Sequence, residues 1–208
     1  HELGHGVHQV LASGLGPLLS DTPLTLAETA SVFGEMLTYK KLIKNTENEF
    51  ERKVLLASKI EDMINTVIRQ ISFFKFEQLV HHSRKNGELT SEDINNIWLE
   101  TQRDSLGPSI KLHKQHKYLW SYIPHFIHSP FYVYAYAFGD CLVNSLYSVY
   151  QKDRSGFVQK YTGLLASGGS KHHTQLLQPF NLDATDPSFW NNGISLITEM
   201  IDDLEKFS

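Results

Sequence analysis

The first five residues of the chain combine side chains that could carry out metal-assisted hydrolysis. They read His1-Glu2-Leu3-Gly4-His5. On an α-helix, side chains four residues apart lie on one face, so His1 and His5 can offer two imidazoles to one ion. Glu2 lies one step around the same surface, where a carboxylate could take a proton from a metal-bound water. The pattern therefore predicts a zinc site that performs hydrolysis.

A hydrolytic zinc site takes three protein ligands and leaves one position for water, so the third ligand must come from elsewhere in the chain. Glu28 is the leading candidate, because it lies on the next predicted helix, which can run antiparallel to the first. Glu35 lies seven residues further along nearly the same face. It could instead accept a hydrogen bond from the second ring nitrogen of a liganding histidine. Either glutamate could also belong to an ordinary solvated helix face.

His8 shares the metal-facing side of the first helix with His1, because the two are seven residues apart. A third imidazole would crowd the position that hydrolysis needs to keep open. We therefore expect His8 to contact a metal-binding residue or the substrate, and not the metal itself.

Helical periodicity extends over most of the chain, with few strand-like alternations and no internal repeat. Thr25 with Glu28 three residues later suggests an N-terminal cap of the second helix. Thr90 with Asp93 opens a later one, and Pro130 favours a helix start. We expect an all-α protein with one compact domain. The predicted helices cover residues 1–13, 24–44, 48–85, 90–107, 129–151, 155–166, 172–178 and 187–206.

Composition narrows the classes of partner. The chain has 19 Lys and Arg against 23 Asp and Glu, a formal net charge of −4, which argues against nucleic acid. The single cysteine, Cys141, cannot form a disulfide within the chain, which fits a reducing cytoplasm. No apolar run is long enough to span a bilayer. We expect a cytoplasmic protein with neither a nucleic-acid nor a membrane partner.

The position of His1 at the start of the chain is unfavourable for a metal ligand. The first turn of a helix has unpaired N–H groups, and no residue precedes His1 to cap them. We therefore expect residues 1–208 to be the C-terminal part of a longer catalytic domain. In this interpretation they begin at the metal-binding helix, and the N-terminal half of the parent protein is missing.

Several separated segments together point to a known family. They are residues 1–8, 26–35, 123–126, 130–139 and 178–190. In sequence they resemble the oligoendopeptidase F branch of the thimet oligopeptidase family of zinc peptidases. The resemblance covers nearly all of the chain. It implies that His1, His5 and Glu28 bind Zn²⁺ and that Glu2 is the general base that activates the zinc-bound water.

The same resemblance implies that His125 and nearby tyrosines bind the substrate and stabilise the tetrahedral intermediate. A phenol O–H or an imidazole N–H aimed at the carbonyl oxygen lowers the barrier to amide hydrolysis, because negative charge develops there. Tyr132 and Tyr136 are four residues apart and would share one helix face, whereas Tyr134 would point roughly the other way. We therefore favour Tyr132 and Tyr136 as catalytic residues.

The sequence thus predicts an all-α, multi-helix catalytic domain of a zinc endopeptidase that hydrolyses short oligopeptides. The restriction to short peptides is implied by the family alone. The alternative is an inactive fragment or remnant that lacks the opposite wall of the cleft and holds zinc weakly or not at all. A helical bundle with a chance motif is disfavoured, because Glu28 and the His125 segment both agree with the first five residues.

Overall fold

The computed structural model describes residues 1–207, and its regular structure is helical, with no β-strand in that range. This confirms the all-α class. The α-helices are α1 (Glu2–Ala12), α2 (Leu24–Ala27), α3 (Thr29–Asn45), α4 (Glu49–Ile64), α5 (Gln70–Arg84), α6 (Ser91–Leu106), α7 (His125–His128), α8 (Tyr134–Lys152), α9 (Phe157–Leu165), α10 (His173–Leu177) and α11 (Pro187–Glu205). Shorter 3₁₀ segments are Ser13–Leu15, Lys114–Tyr122 and Gln178–Phe180, and Asn65–Arg69 is a π-helical turn.

The predicted helix over residues 24–44 is interrupted at Glu28. This residue (φ −83°, ψ 0°) ends α2 and precedes α3. The predicted cap at Thr25 is wrong, because α2 begins after Pro23 without a side-chain cap. The Glu28 carboxylate instead accepts a hydrogen bond from the Ser31 hydroxyl at 2.7 Å. This hydrogen bond joins the Glu28 side chain to the first turn of α3.

Two other predicted helices also differ in detail. The predicted helix 48–85 is helical from Glu49 to Arg84 but contains the π-helical turn Asn65–Arg69 between α4 and α5. The predicted helix 129–151 begins only at Tyr134. Phe131 has a φ of +60°, in the left-handed region, and this conformation is incompatible with a right-handed helix starting at Pro130. The predicted start at Thr90 is confirmed by reciprocal hydrogen bonds with Asp93.

The internal contacts divide the chain into two compact units, in place of the single compact domain expected from the sequence. The first consists of His1–Met63 and the segment from Phe138 onward, and the second is Ile64–Ala137. The expectation that all of these residues are the C-terminal part of one catalytic domain stays a prediction. Within residues 1–207, none of the helices combines the length and the apolar character needed to cross a bilayer.

An aromatic cluster fixes α3 within the first unit. Phe33 is buried, and its ring centroid lies 4.7 Å from that of Tyr161 and 5.7 Å from that of Phe157, both on α9. Tyr147 and Tyr150 of α8 also pack against Phe33. Burial of these rings is worth several kcal/mol in total. They hold the helix that follows Glu28 in place.

The core of the second unit is formed by α5, α6 and the segment before α8. Its buried residues are Phe73, Phe76, Trp98, Ile123 and Val133. The Trp98 indole N–H donates to the His116 carbonyl oxygen at 2.9 Å, which ties the 3₁₀ segment to α6. This packing sets the position at which the chain enters α7 and α8.

Candidate metal centre

Helix α1 packs closely against α3 because position 4 is glycine. A Cβ at Gly4 would lie 2.5 Å from the Ser31 Cα and 2.7 Å from the Ala30 carbonyl oxygen. Real Cβ atoms essentially never approach other atoms that closely. Glycine is therefore required between the two histidines, and it lets both imidazoles reach the start of α3.

His1, His5 and Glu28 bring three potential ligand atoms together. The His1 Nε2 and His5 Nε2 atoms are 3.1 Å apart, and they lie 3.5 Å and 3.6 Å from the Glu28 Oε2 atom. Ligands bound tetrahedrally to one zinc ion at its usual bond lengths are separated by about 3.4 Å. Two imidazoles and one carboxylate are also a donor set that hydrolytic zinc sites use. The residues present therefore fit a zinc ion.

The three candidate ligands remain open to solvent on one side. The side chains of His1 and His5 are 41% and 36% exposed, and that of Glu28 is 25% exposed. A structural zinc site is usually closed, whereas a catalytic one leaves a position for water or substrate. Glu2, in the first turn of α1, is also exposed and lies next to His1.

Glu35 contacts the other ring nitrogen of His1. The Glu35 Oε1 atom is hydrogen-bonded to His1 Nδ1, which is the contact that the sequence suggested as its alternative role. A carboxylate at Nδ1 favours the tautomer with its proton there, so Nε2 keeps a lone pair for a metal. Lys59 Nζ lies 3.7 Å from the other oxygen of Glu35 and 3.1 Å from Asp62 Oδ2. The Lys59 side chain is only 10% exposed, so it supports Glu35 from within the protein.

The Glu28 side chain is oriented by its neighbours. Ser31 donates its hydroxyl proton to Glu28 Oε2, the same oxygen that lies between the two histidines. A Cβ at Gly139 of α8 would lie 3.3 Å from the Glu28 Cβ, so α8 also approaches this side chain closely. The carboxylate is therefore restrained both by a hydrogen bond and by packing.

His8 is buried and lies outside the group of three ligands. Its Nε2 atom is 3.3 Å from the Thr22 hydroxyl oxygen. Burial lowers the pKa of His8; a backbone hydrogen bond with Ala27 opposes this shift, and the charge of His5 adds to it. His8 is thus favoured in its neutral form, and it links α1 to the segment that leads into Glu28.

His125, Tyr132 and Tyr136 form a separate cluster in the second unit. The Tyr136 hydroxyl oxygen lies 3.3 Å from His125 Nε2, and the Tyr132 ring centroid lies 5.6 Å from that of His125. Tyr134 packs instead against Phe74, with ring centroids 5.3 Å apart. The favoured pair of tyrosines does group with the histidine. The prediction that Tyr132 and Tyr136 share one face of a helix is wrong, because Tyr132 precedes the first residue of α8.

Comparison with known proteins identifies the family of the chain. Residues 1–196 match the model of Peptidase family M3. The chain belongs to peptidase family M3. It is 31% identical to oligopeptidase PepF of Bacillus subtilis over 99% of this chain and 31% of that protein. It is 29% identical to an oligoendopeptidase F homolog of Borreliella burgdorferi, over 99% of this chain and 35% of that protein.

Solved structures support the fold of this M3 family chain. A crystal structure of a Chlamydophila abortus protein matches 99% of the chain with a TM-score of 0.87 at 26% identity. Oligoendopeptidase-F from Enterococcus faecium matches all of it with a TM-score of 0.80 at 24% identity. The resemblance to the oligoendopeptidase F branch is confirmed. The chain spans about a third of the length of the curated relatives that it matches.

Two residues of this M3 family chain contribute to the site although no sequence pattern indicated them. Ser31 reads as an ordinary residue near the start of a helix, and Lys59 as an ordinary surface lysine of α4. The Ser31 contact with Glu28 is local, between residues three apart at the start of α3, whereas the Lys59 contact with Glu35 joins α4 to α3. For Lys59, no signal in the sequence could have found the contact, since 24 residues separate it from Glu35.

Proposed function

We propose that this chain is the zinc-binding part of an endopeptidase that hydrolyses short oligopeptides. One observation carries the proposal: His1 Nε2, His5 Nε2 and Glu28 Oε2 lie 3.1–3.6 Å from one another, the separation that tetrahedral zinc requires. The similar proteins are named as oligopeptidases and oligoendopeptidases, which supports the substrate class.

In this proposal each residue near the metal has a distinct role. His1, His5 and Glu28 would hold the zinc ion, which when bound would supply a water of lowered pKa and a Lewis acid for the scissile carbonyl group. Glu2 takes a proton from the attacking water and passes it to the leaving amine. Glu35 keeps the His1 ring in the tautomer that leaves Nε2 free, and Lys59 holds Glu35.

The cluster of His125, Tyr132 and Tyr136 serves the carbonyl oxygen of the substrate. The Tyr136 hydroxyl and the His125 ring are within hydrogen-bonding distance of each other, so the two groups are already oriented as a pair. A phenol or imidazole proton pointed at the developing oxyanion stabilises it without reorganisation at the moment of reaction. Tyr132 packs beside His125 and limits its movement.

The alternative is that the isolated chain is inactive and holds zinc weakly. The observation that favours it is the apolar face of α1, where Leu3, Val7 and Val10 are 87%, 54% and 72% exposed. Contiguous exposed apolar side chains commonly mark a surface that another segment covers. In this alternative, the N-terminal half of a longer parent protein packs here and provides the opposite wall of the cleft.

Measurement of zinc and of peptide cleavage on the same preparation tests the proposal. The chain and its Glu2→Gln variant are incubated with zinc, freed of excess metal, and assayed by atomic emission and with a quenched fluorescent peptide. We expect about one zinc in each protein and cleavage by the unmodified chain alone. Little or no zinc in either folded protein, with no cleavage, would favour the alternative and contradict the proposal that this chain binds zinc. About one zinc per chain without cleavage would support the ligand set and contradict peptide cleavage by this chain.

A further inference from the structure

Glu77 on α5 is a buried carboxylate with one oxygen that lacks a partner. The residue is only 2% exposed. Its Oε1 atom accepts a hydrogen bond from the Phe131 backbone N–H at 2.8 Å. Its Oε2 atom is buried with no hydrogen-bond partner among the described residues. Burial of a half-satisfied carboxylate is costly, so the position of Glu77 calls for a physical reason.

Its hydrogen-bond donor, Phe131, has an unusual backbone conformation. With a φ of +60°, it lies in the left-handed region that bulky side chains rarely adopt. Such conformations persist only where the surroundings determine them, and they concentrate at functional sites. Here α5 holds Phe131 at three points. Glu77 accepts a hydrogen bond from its backbone N–H, and the rings of His81 and Phe74 lie 4.7 Å and 6.3 Å from the Phe131 ring. Glu77 and His81 are four residues apart and share one helix face.

The conformation of Phe131 determines the direction of the next residue. The Tyr132 N–H donates to the Ser129 carbonyl oxygen at 3.2 Å, which closes a turn around Phe131. This turn places the Tyr132 ring 5.6 Å from the His125 ring. If Phe131 relaxed into the extended or right-handed region, the chain would leave the turn in another direction and the Tyr132 ring would move away.

We propose that Glu77 is a positioning residue for the peptidase reaction: it fixes the left-handed turn at Phe131 that keeps Tyr132 beside His125. The inference rests on the proposed function, because it assigns the His125 cluster to the substrate. Burial raises the pKa of Glu77, whereas the Phe131 N–H and the charges of His81 and His125 oppose the shift. The hydrogen bond from the Phe131 N–H needs an acceptor oxygen at the position of Glu77 Oε1, and it does not need a negative charge there.

Two conservative variants separate the position of the oxygen from its charge. Glu77→Gln keeps an acceptor at the same reach and removes the charge. Glu77→Asp keeps the charge and withdraws the acceptor by one methylene, about 1.5 Å, which breaks a 2.8 Å hydrogen bond. A third variant combines Glu77→Asp with Phe131→Gly, since glycine adopts a positive φ without a side-chain penalty. Ser72→Ala, at another buried polar residue of α5, is the control for general destabilisation.

The primary readout is the nuclear Overhauser contact between the rings of Tyr132 and His125 in labelled protein, which does not require activity. We expect this contact in the unmodified chain, in Glu77→Gln, in Ser72→Ala and in the double variant. We expect Glu77→Asp to lose it. Retention of the contact in Glu77→Asp would overturn the inference, as would its loss in Glu77→Gln, because charge and not position would then be decisive.

Zinc content and peptide cleavage by the same proteins distinguish this inference from the proposed function. None of these substitutions touches His1, His5 or Glu28, so we expect zinc content to be unchanged. Where the unmodified chain cleaves peptide, we expect Glu77→Asp to lower kcat by about 10-fold with little effect on KM, and Phe131→Gly to restore it. If the ring contact is lost while kcat stays unchanged, the His125 cluster takes no part in the reaction and Glu77 is only structural.

Discussion

Replacement of Gly4 by alanine tests whether the packing of α1 on α3 builds the metal site. The added Cβ would lie 2.5 Å from the Ser31 Cα, whereas ordinary contacts begin at 3.4 Å. Both atoms belong to main-chain segments that no side-chain rotation can move. Relief of the clash therefore requires α1 and α3 to separate by about 0.9 Å.

This separation is large relative to the tolerance of a zinc site. The distances from His1 Nε2 and His5 Nε2 to Glu28 Oε2 are now 3.5 Å and 3.6 Å. A shift along these directions would raise them to about 4.5 Å, beyond the roughly 4.2 Å that two atoms on one zinc ion can span. We expect zinc affinity to fall by about 100-fold or more, since loss of a residue that only hydrogen-bonds to a metal ligand commonly lowers metal affinity by about 10- to 100-fold.

Gly6→Ala is a matched control for Gly4→Ala. Gly6 lies on the same helix, but a Cβ there would meet no atom within 4 Å. Both substitutions raise helix propensity by about 1 kcal/mol, so propensity cannot explain a difference between them. Zinc affinity is measured by competition with a chromogenic chelator, and metal-free stability by thermal unfolding followed with circular dichroism. Equal zinc affinity and equal stability in the two variants would refute the argument from close packing.

Three further substitutions probe other parts of the structure. Lys59→Met should lower zinc affinity about 10-fold in the same chelator assay, because it removes the cation beside Glu35, which contacts His1. Lys75→Met, which breaks an exposed ion pair with Asp104, should leave zinc affinity unchanged. An unchanged zinc affinity in Lys59→Met would show that Lys59 does not support the metal site. Tyr136→Phe should lower kcat by about 10-fold or more in a peptide cleavage assay while KM changes little, and unchanged kinetics would exclude it from the mechanism. Burial raises the pKa of Asp140 from 3.8 to about 6, so the folded state disfavours its charge and loses stability as pH rises from about 4 to about 6. Thermal unfolding of Asp140→Asn should lack this loss; equal pH dependence in both proteins would contradict it.

The sequence was informative where a relation between residues follows from regular helix geometry. Helical geometry alone predicts that imidazoles four residues apart lie close together, and the structure places the Nε2 atoms of His1 and His5 3.1 Å apart. The capping pair Thr90 and Asp93 is of the same kind. Lys59 and Glu77 could not be found in this way. Their contacts join residues 24 and 54 positions apart, and only the packing of helices decides which side chains meet across such distances.

Helical periodicity failed at two places, and each lies beside a candidate functional residue. The predicted helix 24–44 runs through Glu28, where the structure interrupts it, and the predicted helix 129–151 runs through Phe131, which has a positive φ. Periodicity records what the local sequence prefers, and a departure from it must be maintained by tertiary contacts. At Phe131 those contacts come from the Glu77 carboxylate and from the rings of His81 and Phe74. The core of the second unit thus sustains a locally unfavourable turn, and the consequence of that turn is the position of Tyr132 beside His125.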